Sequence, residues 1–188
     1  DVLEALDVNL KAPLHQVDNA ISTAKISFLF APVWHPSLVK LAPIRKNLGV
    51  RTIFNLLGPL VNPLKPKFQV LGVAKYELLE PMAQALQLLE LNRAVVVHGA
   101  GGLDEASLQG QNNLIFLEDG QLRNASLDAS SMGLVTASIN DLKGGSLQEN
   151  KVILQAVLQG KGTPAHRDVV ALNTALVLWT CGLIDDLK

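Results

Sequence analysis

The chain has little cysteine, few aromatic residues and almost no net charge, and each shortage excludes a class of protein. Its single cysteine, Cys181, excludes an internal disulfide and fits a reducing compartment. Because aromatic residues make up only 4% of the chain, the core must be mainly aliphatic. A formal net charge of -1 gives no electrostatic attraction to nucleic acid or to an anionic membrane. The composition therefore favours neither of these as a partner.

A long apolar run and a secretory leader are missing as well. The longest apolar stretch, residues 169–184, is interrupted by Asn173, Thr174 and Thr180 and is too short to span a bilayer comfortably. Within it we expect Asn173 to be a buried amide with its hydrogen bonds satisfied and Cys181 to be a small core residue. No basic segment followed by an apolar one opens the chain, so secretion has no support. We expect a soluble, cytoplasmic protein in which residues 1–188 form a single α/β domain. Residues 1–6 have the pattern of a helix interior, so the chain is expected to begin within a longer protein.

Helical and strand patterns alternate along the chain. Short apolar or β-branched runs predict strands, and Asp119-Gly120 predicts the turn of a β-hairpin. The β-branched run 93–98 is of the kind that is buried on both faces of a parallel sheet. Apolar residues at helical spacing, together with capping signals, predict helices. The predicted strands are 26–30, 68–73, 93–98, 113–117 and 121–123, and the predicted helices are 13–25, 78–89, a turn opened by Pro43, and two helices that begin after Ser146 and Thr163. The fold class is α/β, with a mixed, mostly parallel β-sheet flanked by helices.

Residues 31–63 place rings, cations and a rigid corner within one short span. The ring of His35 and its aromatic neighbour can cover the face of a flat ligand. Arg45 can pair with a carboxylate through two parallel hydrogen bonds, and the Gly58-Pro59 corner supplies a fixed wall. Each feature also has a plain structural explanation: a helix cap, a solvated helix face and an ordinary turn, respectively. Together they predict a site for a small, flat, anionic ligand.

A second constellation follows the strand predicted at 93–98. Glycines in the loop 99–105 let the backbone approach a ligand closely, at the carboxyl end of a strand, where open α/β sheets bind ligands. Asp104 and Glu105 supply two oxygen ligands, and Mg²⁺ commonly uses one or two carboxylates with waters and phosphate oxygens. The glycine spacing matches neither a dinucleotide fingerprint nor a Walker loop, and a plain turn with solvated acids is the alternative. The pattern predicts a metal-bridged phosphate or pyrophosphate.

Several motifs, in order from one end of the chain to the other, share a family resemblance. The most specific is the block 51–63, within the motif 48–63; the others are 35–36, 42–45, 69–73, 98–99, 102–105, 144–145 with 149–150, and 172–173. Together they resemble anthranilate phosphoribosyltransferase. The resemblance implies the large domain of a nucleoside phosphorylase/phosphoribosyltransferase-like fold, as the C-terminal part of a longer protein. It also implies that most of the small helical domain, with the glycine-rich loop for phosphoribosyl pyrophosphate, lies outside this chain.

The family transfers a phosphoribosyl group from phosphoribosyl pyrophosphate to the amino group of anthranilate in tryptophan biosynthesis, releases pyrophosphate and requires Mg²⁺. No residue is assigned as general acid or base, because the amine is already a competent nucleophile and positioning matters more. The resemblance further implies a homodimer through helices outside this chain, while Trp34 and Ser37 depart from the family pattern. The implied site residues are Arg45 for the anthranilate carboxylate, His35, Gly58 and Pro59 for the anthranilate entry path, and Asp104 and Glu105 for Mg²⁺.

Two other functions are compatible with such a fold, since a fold does not define a function. A non-enzymatic relative that binds nucleic acid would need a clustered basic face, whereas the charge here is balanced. A pyrimidine nucleoside phosphorylase shares the architecture and attacks with phosphate, but it does not account for the block 45–63. Binding to DNA, or stabilisation by thymidine instead of anthranilate, would distinguish these alternatives.

Overall fold

The computed structural model describes residues 1–35 and 54–187, without the side chains of Phe54 and Asn55. The helical turn predicted at Pro43 and the predicted ligand Arg45 lie outside the described residues. The chain forms two compact units. The first, here called the helical unit, comprises Asp1–Leu64 and Ser146–Lys151, and the second, the sheet unit, comprises Lys65–Gly145 and Val152–Lys188. A single domain over residues 1–188 stays a prediction.

The described residues of the helical unit form short helices. They are α1 (Val2–Ala5), α2 (Leu14–Ala24), α3 (Ala31–Trp34) and α4 (Phe54–Leu57), the last followed by a 3₁₀ turn (Gly58–Leu60). α2 confirms the helix predicted over 13–25; it ends at Lys25, whose φ of 62° is left-handed. Val17 on α2 is the one buried residue among those described in this unit. The described part of the helical unit therefore has little core of its own.

The strand predicted at residues 26–30 is wrong. These residues have no regular secondary structure, and Ile26 and Phe28 are 74% and 45% exposed. A strand needs a neighbour to pair with its N–H and C=O groups, and the described part of the helical unit contains no strand. A short apolar run alone therefore does not define a strand.

The described residues of the sheet unit form a four-stranded sheet in the order β1-β2-β3-β4. The strands are β1 (Phe68–Gly72), β2 (Arg93–His98), β3 (Gln111–Glu118) and β4 (Gln121–Asp128), and α5 (Leu79–Leu88) connects β1 to β2. The predicted mixed sheet is confirmed, but the expectation of mostly parallel pairs is corrected. β1 and β2 are parallel, whereas β2–β3 and β3–β4 are antiparallel. The reason is local: Asp119 and Gly120, with φ of 49° and 71°, close the predicted hairpin, and the β2–β3 loop contains no crossover helix.

Two helices cover the two faces of the sheet. One face packs against α5, through Leu79, Met82, Ala83 and Leu86, and the other against α7 (Pro164–Thr180), through Leu172, Leu176 and Trp179. Alternate residues of a strand point to opposite faces, so Val95 and Val97 of β2 face α7 while Ala94 and Val96 face α5. These four residues are at most 1% exposed, which confirms the prediction that β2 is buried on both faces.

The two C-terminal helices begin where the sequence predicts. α6 (Leu147–Leu158) follows Ser146, whose N–H donates to Glu149 Oε2 at 2.6 Å and whose hydroxyl accepts from the Glu149 N–H at 3.3 Å. α7 follows Thr163, whose hydroxyl accepts from a backbone N–H of the first turn. Cys181, predicted to lie in the core, is exposed, because it follows the last residue of α7. The remaining 3₁₀ turns are Tyr76–Leu78, Ala129–Met132 and Ile139–Asp141.

None of the helices in 1–35 and 54–187 combines the length and the apolar character that a membrane crossing requires.

Replacing Leu86 with alanine should destabilise the sheet unit. Leu86 is fully buried under α5, whereas Leu88, two residues later on the same helix, is 83% exposed. We expect Leu86→Ala to lower the free energy of unfolding by about 3 kcal/mol, through lost burial and the cavity left behind. Leu88→Ala should change it by less than about 0.5 kcal/mol. Urea unfolding followed by circular dichroism measures both, and equal effects would contradict this packing.

The hydrogen bonds that cap α6 should lower the pKa of Glu149 measurably. The hydroxyl and the backbone N–H of Ser146 hydrogen-bond the carboxylate of Glu149 and hold its pKa below the ordinary value of 4.5. This contribution to stability is present above pH 4.5 and is lost as the pH falls through the lowered pKa of the folded state. Ser146→Ala should raise the pKa of Glu149, measured by NMR titration of its carboxyl carbon. As a control, Ser130→Ala should raise the pKa of Asp128, which Ser130 lowers in the same way, and leave Glu149 unchanged.

Candidate functional site at the carboxyl ends of β1 and β2

The loop that follows β2 turns back on itself at once. The Gly99 N–H donates to the Leu103 carbonyl at 2.8 Å, and the Gly102 N–H donates to the Gly99 carbonyl at 3.1 Å. Gly101 and Gly102 have φ of 84° and 83°, in the left-handed region that favours glycine. The glycines predicted to form a ligand loop therefore close a tight turn that leads directly into the acidic pair Asp104-Glu105.

Two glycines at the strand ends let the acidic pair lie against the sheet. β1 and β2 are parallel, so their carboxyl ends share one edge. A Cβ on Gly72, the last residue of β1, would overlap the carbonyl oxygen of Asp104, and a Cβ on Gly99 would overlap that of Glu105. The backbone of the acidic pair thus crosses both strand ends at a distance that only glycine allows.

A buried amide, Asn112, ties the loop together from inside. Its side-chain oxygen accepts from the N–H groups of Ala100 (3.2 Å) and Ser107 (2.7 Å). Its side-chain nitrogen donates to the carbonyls of Ser107 (2.9 Å), Gly110 (3.2 Å) and Leu127 (3.0 Å). Asn112 is 0% exposed, so these bonds replace water completely. The signal in the sequence is the pair Asn112-Asn113, which comes directly before the apolar run 114–117.

A second amide holds the loop from α7. The Asn173 side-chain oxygen accepts from the N–H of Ala106 at 2.9 Å, and its nitrogen donates to the carbonyl of the same residue at 2.8 Å. The nitrogen also donates to the Val169 carbonyl at 2.9 Å. The prediction of a satisfied amide at Asn173 is confirmed, although the residue is only half-buried. Its partner Ala106 follows Glu105 directly and is 0% exposed.

The two carboxylates themselves are exposed and have no cationic partner within residues 1–35 and 54–187. Both residues are exposed, and no Lys, Arg or His among the described residues forms an ion pair with either carboxylate. The pKa of Glu105 is raised from its ordinary value, first by partial burial of the carboxyl group and second by the negative charge of Asp104. The pair therefore places two carboxylates side by side at the edge of the sheet, and no described cation neutralises them.

This donor set fits Mg²⁺. Hard carboxylate oxygens are the ligands that Mg²⁺ prefers, and the ion commonly keeps several waters and binds substrate phosphates as well. A third metal-ligating side chain is not grouped with the pair in the described part of the chain. Two carboxylates with open surroundings suit an ion that is shared with a phosphate better than a closed structural site.

His98 occupies the end of β2 and is fixed by its own contacts. Its Nδ1 lies 2.9 Å from the Val73 carbonyl, and a carbonyl only accepts, so Nδ1 carries the proton and donates. The ring meets Tyr76 edge-on, with centroids 6.3 Å apart at 78°. These contacts are those of a structural histidine at the end of a strand.

The residues predicted to line an entry path lie in the helical unit. His35 follows α3 and donates its N–H to the Ala31 carbonyl at 2.8 Å. Gly58 and Pro59 open the 3₁₀ turn after α4. A Cβ on Gly58 would meet no described heavy atom within 4 Å, so the fold of the described residues does not itself require glycine there. The roles of these residues, like that of Arg45, stay predictions.

Known proteins resemble the chain over its whole length. A relative from Parasynechococcus marenigrum (strain WH8102), called anthranilate phosphoribosyltransferase, is 66% identical over 188 residues, which cover 100% of this chain and 54% of the relative. The crystal structure of anthranilate phosphoribosyltransferase from Thermus thermophilus is 41% identical, with a TM-score of 0.91, over 99% of this chain and 55% of that one. The Saccharomyces cerevisiae enzyme in complex with PRPP and Mg is 29% identical, with a TM-score of 0.90, over 100% and 54%.

The chain spans about half the length of the relatives it matches. These matches confirm the resemblance predicted from the motifs and the flanked mixed sheet of the sheet unit. The model of the glycosyl transferase family, a/b domain, matches residues 1–188. The chain therefore belongs to the glycosyl transferase family through its a/b domain.

Proposed function

We propose that the complete protein transfers the phosphoribosyl group of phosphoribosyl pyrophosphate (PRPP) to the amino group of anthranilate, with release of pyrophosphate, in tryptophan biosynthesis. The family and the name shared by the similar proteins support this reaction. The observation that carries it is the acidic pair, which is fixed at the carboxyl ends of two parallel strands and has no described cationic partner.

Asp104 and Glu105 are the residues that would hold Mg²⁺. When bound, Mg²⁺ neutralises negative charge on the departing pyrophosphate. The solved yeast relative in complex with PRPP and Mg supports this assignment. The chain contributes the anchoring: Gly72 and Gly99 admit the loop to the strand ends, and the loop keeps both carboxylates exposed.

On the acceptor side, Arg45 orients anthranilate by its carboxylate. A guanidinium offers two parallel N–H donors to a carboxylate, and it stays charged throughout, so Arg45 positions the substrate without moving a proton. His35, Gly58 and Pro59 line the path by which anthranilate enters. The neutral amine attacks the anomeric carbon as the bond to pyrophosphate breaks, which makes orientation the main requirement.

Gly58→Ala should weaken the binding of anthranilate without lowering the stability of the protein. Since a Cβ at this position meets no described atom within 4 Å, we expect the free energy of unfolding to change by less than about 1 kcal/mol. If Gly58 lines the entry path, the added methyl should narrow the path and raise the KM for anthranilate about tenfold. The KM for PRPP should stay within about twofold, since PRPP does not enter by this path. Steady-state kinetics and thermal melting measure these quantities. An unchanged KM for anthranilate would remove Gly58 from the path.

The reaction itself is tested with the complete protein, by following anthranilate consumption in the presence of PRPP and Mg²⁺. Omitting PRPP or chelating the metal should stop the consumption. A parallel assay with thymidine and inorganic phosphate tests the phosphorylase alternative, and a titration with duplex DNA tests the nucleic-acid-binding one. Thymidine cleavage or tight DNA binding without anthranilate consumption would overturn the proposal.

We further propose that the protein acts as a homodimer in the cytoplasm. The dimer is implied by the family resemblance, through helices outside this chain. The single cysteine supports a reducing compartment. Sedimentation equilibrium of the complete protein tests the dimer, and a monomer at micromolar concentration would contradict it.

A further inference from the structure

The side-chain amide of Asn173 hydrogen-bonds both backbone groups of Ala106. Ala106 lies in the loop 99–110, which carries the acidic pair and is here called the acidic loop. Asn173 accepts from the Ala106 N–H at 2.9 Å and donates to the Ala106 carbonyl at 2.8 Å, so a single amide replaces the two bonds of a strand pair. Ala106 is 0% exposed and cannot exchange these partners for water. Losing the amide would leave a buried donor and a buried acceptor unpaired, which is the costly way to lose a hydrogen bond.

The helix that carries Asn173 is itself packed into the core. Asn173 lies on α7 beside Leu172, which is 1% exposed, and one turn before Leu176, which is 0% exposed. The third bond of Asn173, to the Val169 carbonyl at 2.9 Å, fixes the orientation of its amide. The position of Ala106 is therefore set by a helix that is packed into the core.

Ala106 follows Glu105 directly, so its two hydrogen bonds to Asn173 restrain the backbone next to the acidic pair. On the amino-terminal side of Ala106, the carbonyls of Asp104 and Glu105 lie so close to Gly72 and Gly99, respectively, that a Cβ on either glycine would overlap them. Nothing in the described residues holds the two carboxylates themselves through an ion pair. The direction in which they point thus depends on how the backbone on both sides is held.

We propose that Asn173 is a positioning residue: through Ala106 it keeps the carboxylates of Asp104 and Glu105 turned toward the same divalent cation. This inference rests on the proposed function insofar as that function assigns the cation to the acidic pair. Asn173 does not contact the cation or the substrates in this assignment. It fixes the backbone that carries the ligands.

The test is a Mn²⁺ titration of the complete protein, with Mn²⁺ as the probe for Mg²⁺ and the electron paramagnetic resonance signal of free Mn²⁺ as the readout. The variant Asp104→Asn with Glu105→Gln defines which part of the binding belongs to the acidic pair. Asn173→Ser is the main variant, because a serine hydroxyl can still bond the carbonyl four residues earlier but cannot reach Ala106. Asn173→Ala is the second variant. We expect both to weaken Mn²⁺ binding at the pair about tenfold.

Thr180→Val is the matched control. Thr180 is another polar residue of α7, 2% exposed, and among the described residues its hydroxyl bonds only the Leu176 carbonyl of the same helix, at 2.7 Å. Its replacement leaves no backbone group outside α7 without a partner, so it should lower the melting temperature less than Asn173→Ser does and leave Mn²⁺ affinity within about twofold. Wild-type affinity in Asn173→Ser, or an equal loss in Thr180→Val, would overturn the positioning role alone. No Mn²⁺ binding at the pair in the unmutated protein would overturn the metal assignment of the proposed function and the positioning role with it.

Discussion

Asp104→Asn combined with Glu105→Gln should reduce kcat/KM for PRPP about 100-fold and flatten its dependence on Mg²⁺. Removing both charges leaves two neutral amides in place of hard anionic ligands, so the ion is no longer held at the strand ends. A metal ion that stabilises a leaving group contributes several kcal/mol to the transition state, which sets the size of the loss. Steady-state kinetics over a range of Mg²⁺ concentrations measure it.

A second acidic pair in the sheet unit supplies the control for this variant. Asp185 and Asp186 are also adjacent and exposed in the sheet unit, so Asp185→Asn with Asp186→Asn makes the same change in net charge. It should leave the Mg²⁺ dependence unchanged, because surface substitutions away from a site have small effects. If the two double variants behave alike, the pair Asp104-Glu105 is a solvated turn and the metal assignment fails.

Much of the fold could be predicted from the sequence because its signals are local. β2 has the predicted bounds 93–98, since its β-branched run is buried on both faces. The hairpin at Asp119-Gly120 and the capping box at Ser146 depend on residues that are close in sequence. The strand predicted at 26–30 and the balance of parallel and antiparallel pairs were wrong, because pairing depends on distant segments that a local pattern does not contain.

The same distinction applies to the candidate site. Its acids and glycines were predicted, since residue type and a position after a strand already indicate metal and phosphate chemistry. The residues that hold the loop in place were not predicted. Asn112 was not identified, and Asn173 was expected only to have its own hydrogen bonds satisfied. An amide acquires its role from the backbone groups that the fold brings to it, and Asn173 meets Ala106 across 67 residues of sequence. Ligand residues are therefore more visible in a sequence than the residues that hold them.

Gly72→Ala should lower both the stability of the sheet unit and the Mg²⁺ affinity of the proposed metal site. The added Cβ would overlap the carbonyl oxygen of Asp104, which belongs to the backbone and cannot rotate away as a side chain would. Either β1 or the acidic loop must move. We expect the free energy of unfolding to fall by about 3 kcal/mol, at the upper end of overpacking effects, and kcat/KM for PRPP at limiting Mg²⁺ to fall at least about tenfold.

Gly110→Ala is the matched control, because it makes the same substitution at the far end of the loop that carries the acidic pair. Among the described atoms, a Cβ on Gly110 would meet only the Cβ of Ala100, at 3.9 Å, which is an ordinary van der Waals contact. Neither glycine has a left-handed φ, so backbone strain does not separate the two variants. Gly110→Ala should keep both stability and Mg²⁺ dependence close to those of the unmutated protein. Should Gly72→Ala prove equally mild, the acidic loop would not lie against the end of β1, and the geometry on which the metal site depends would be wrong.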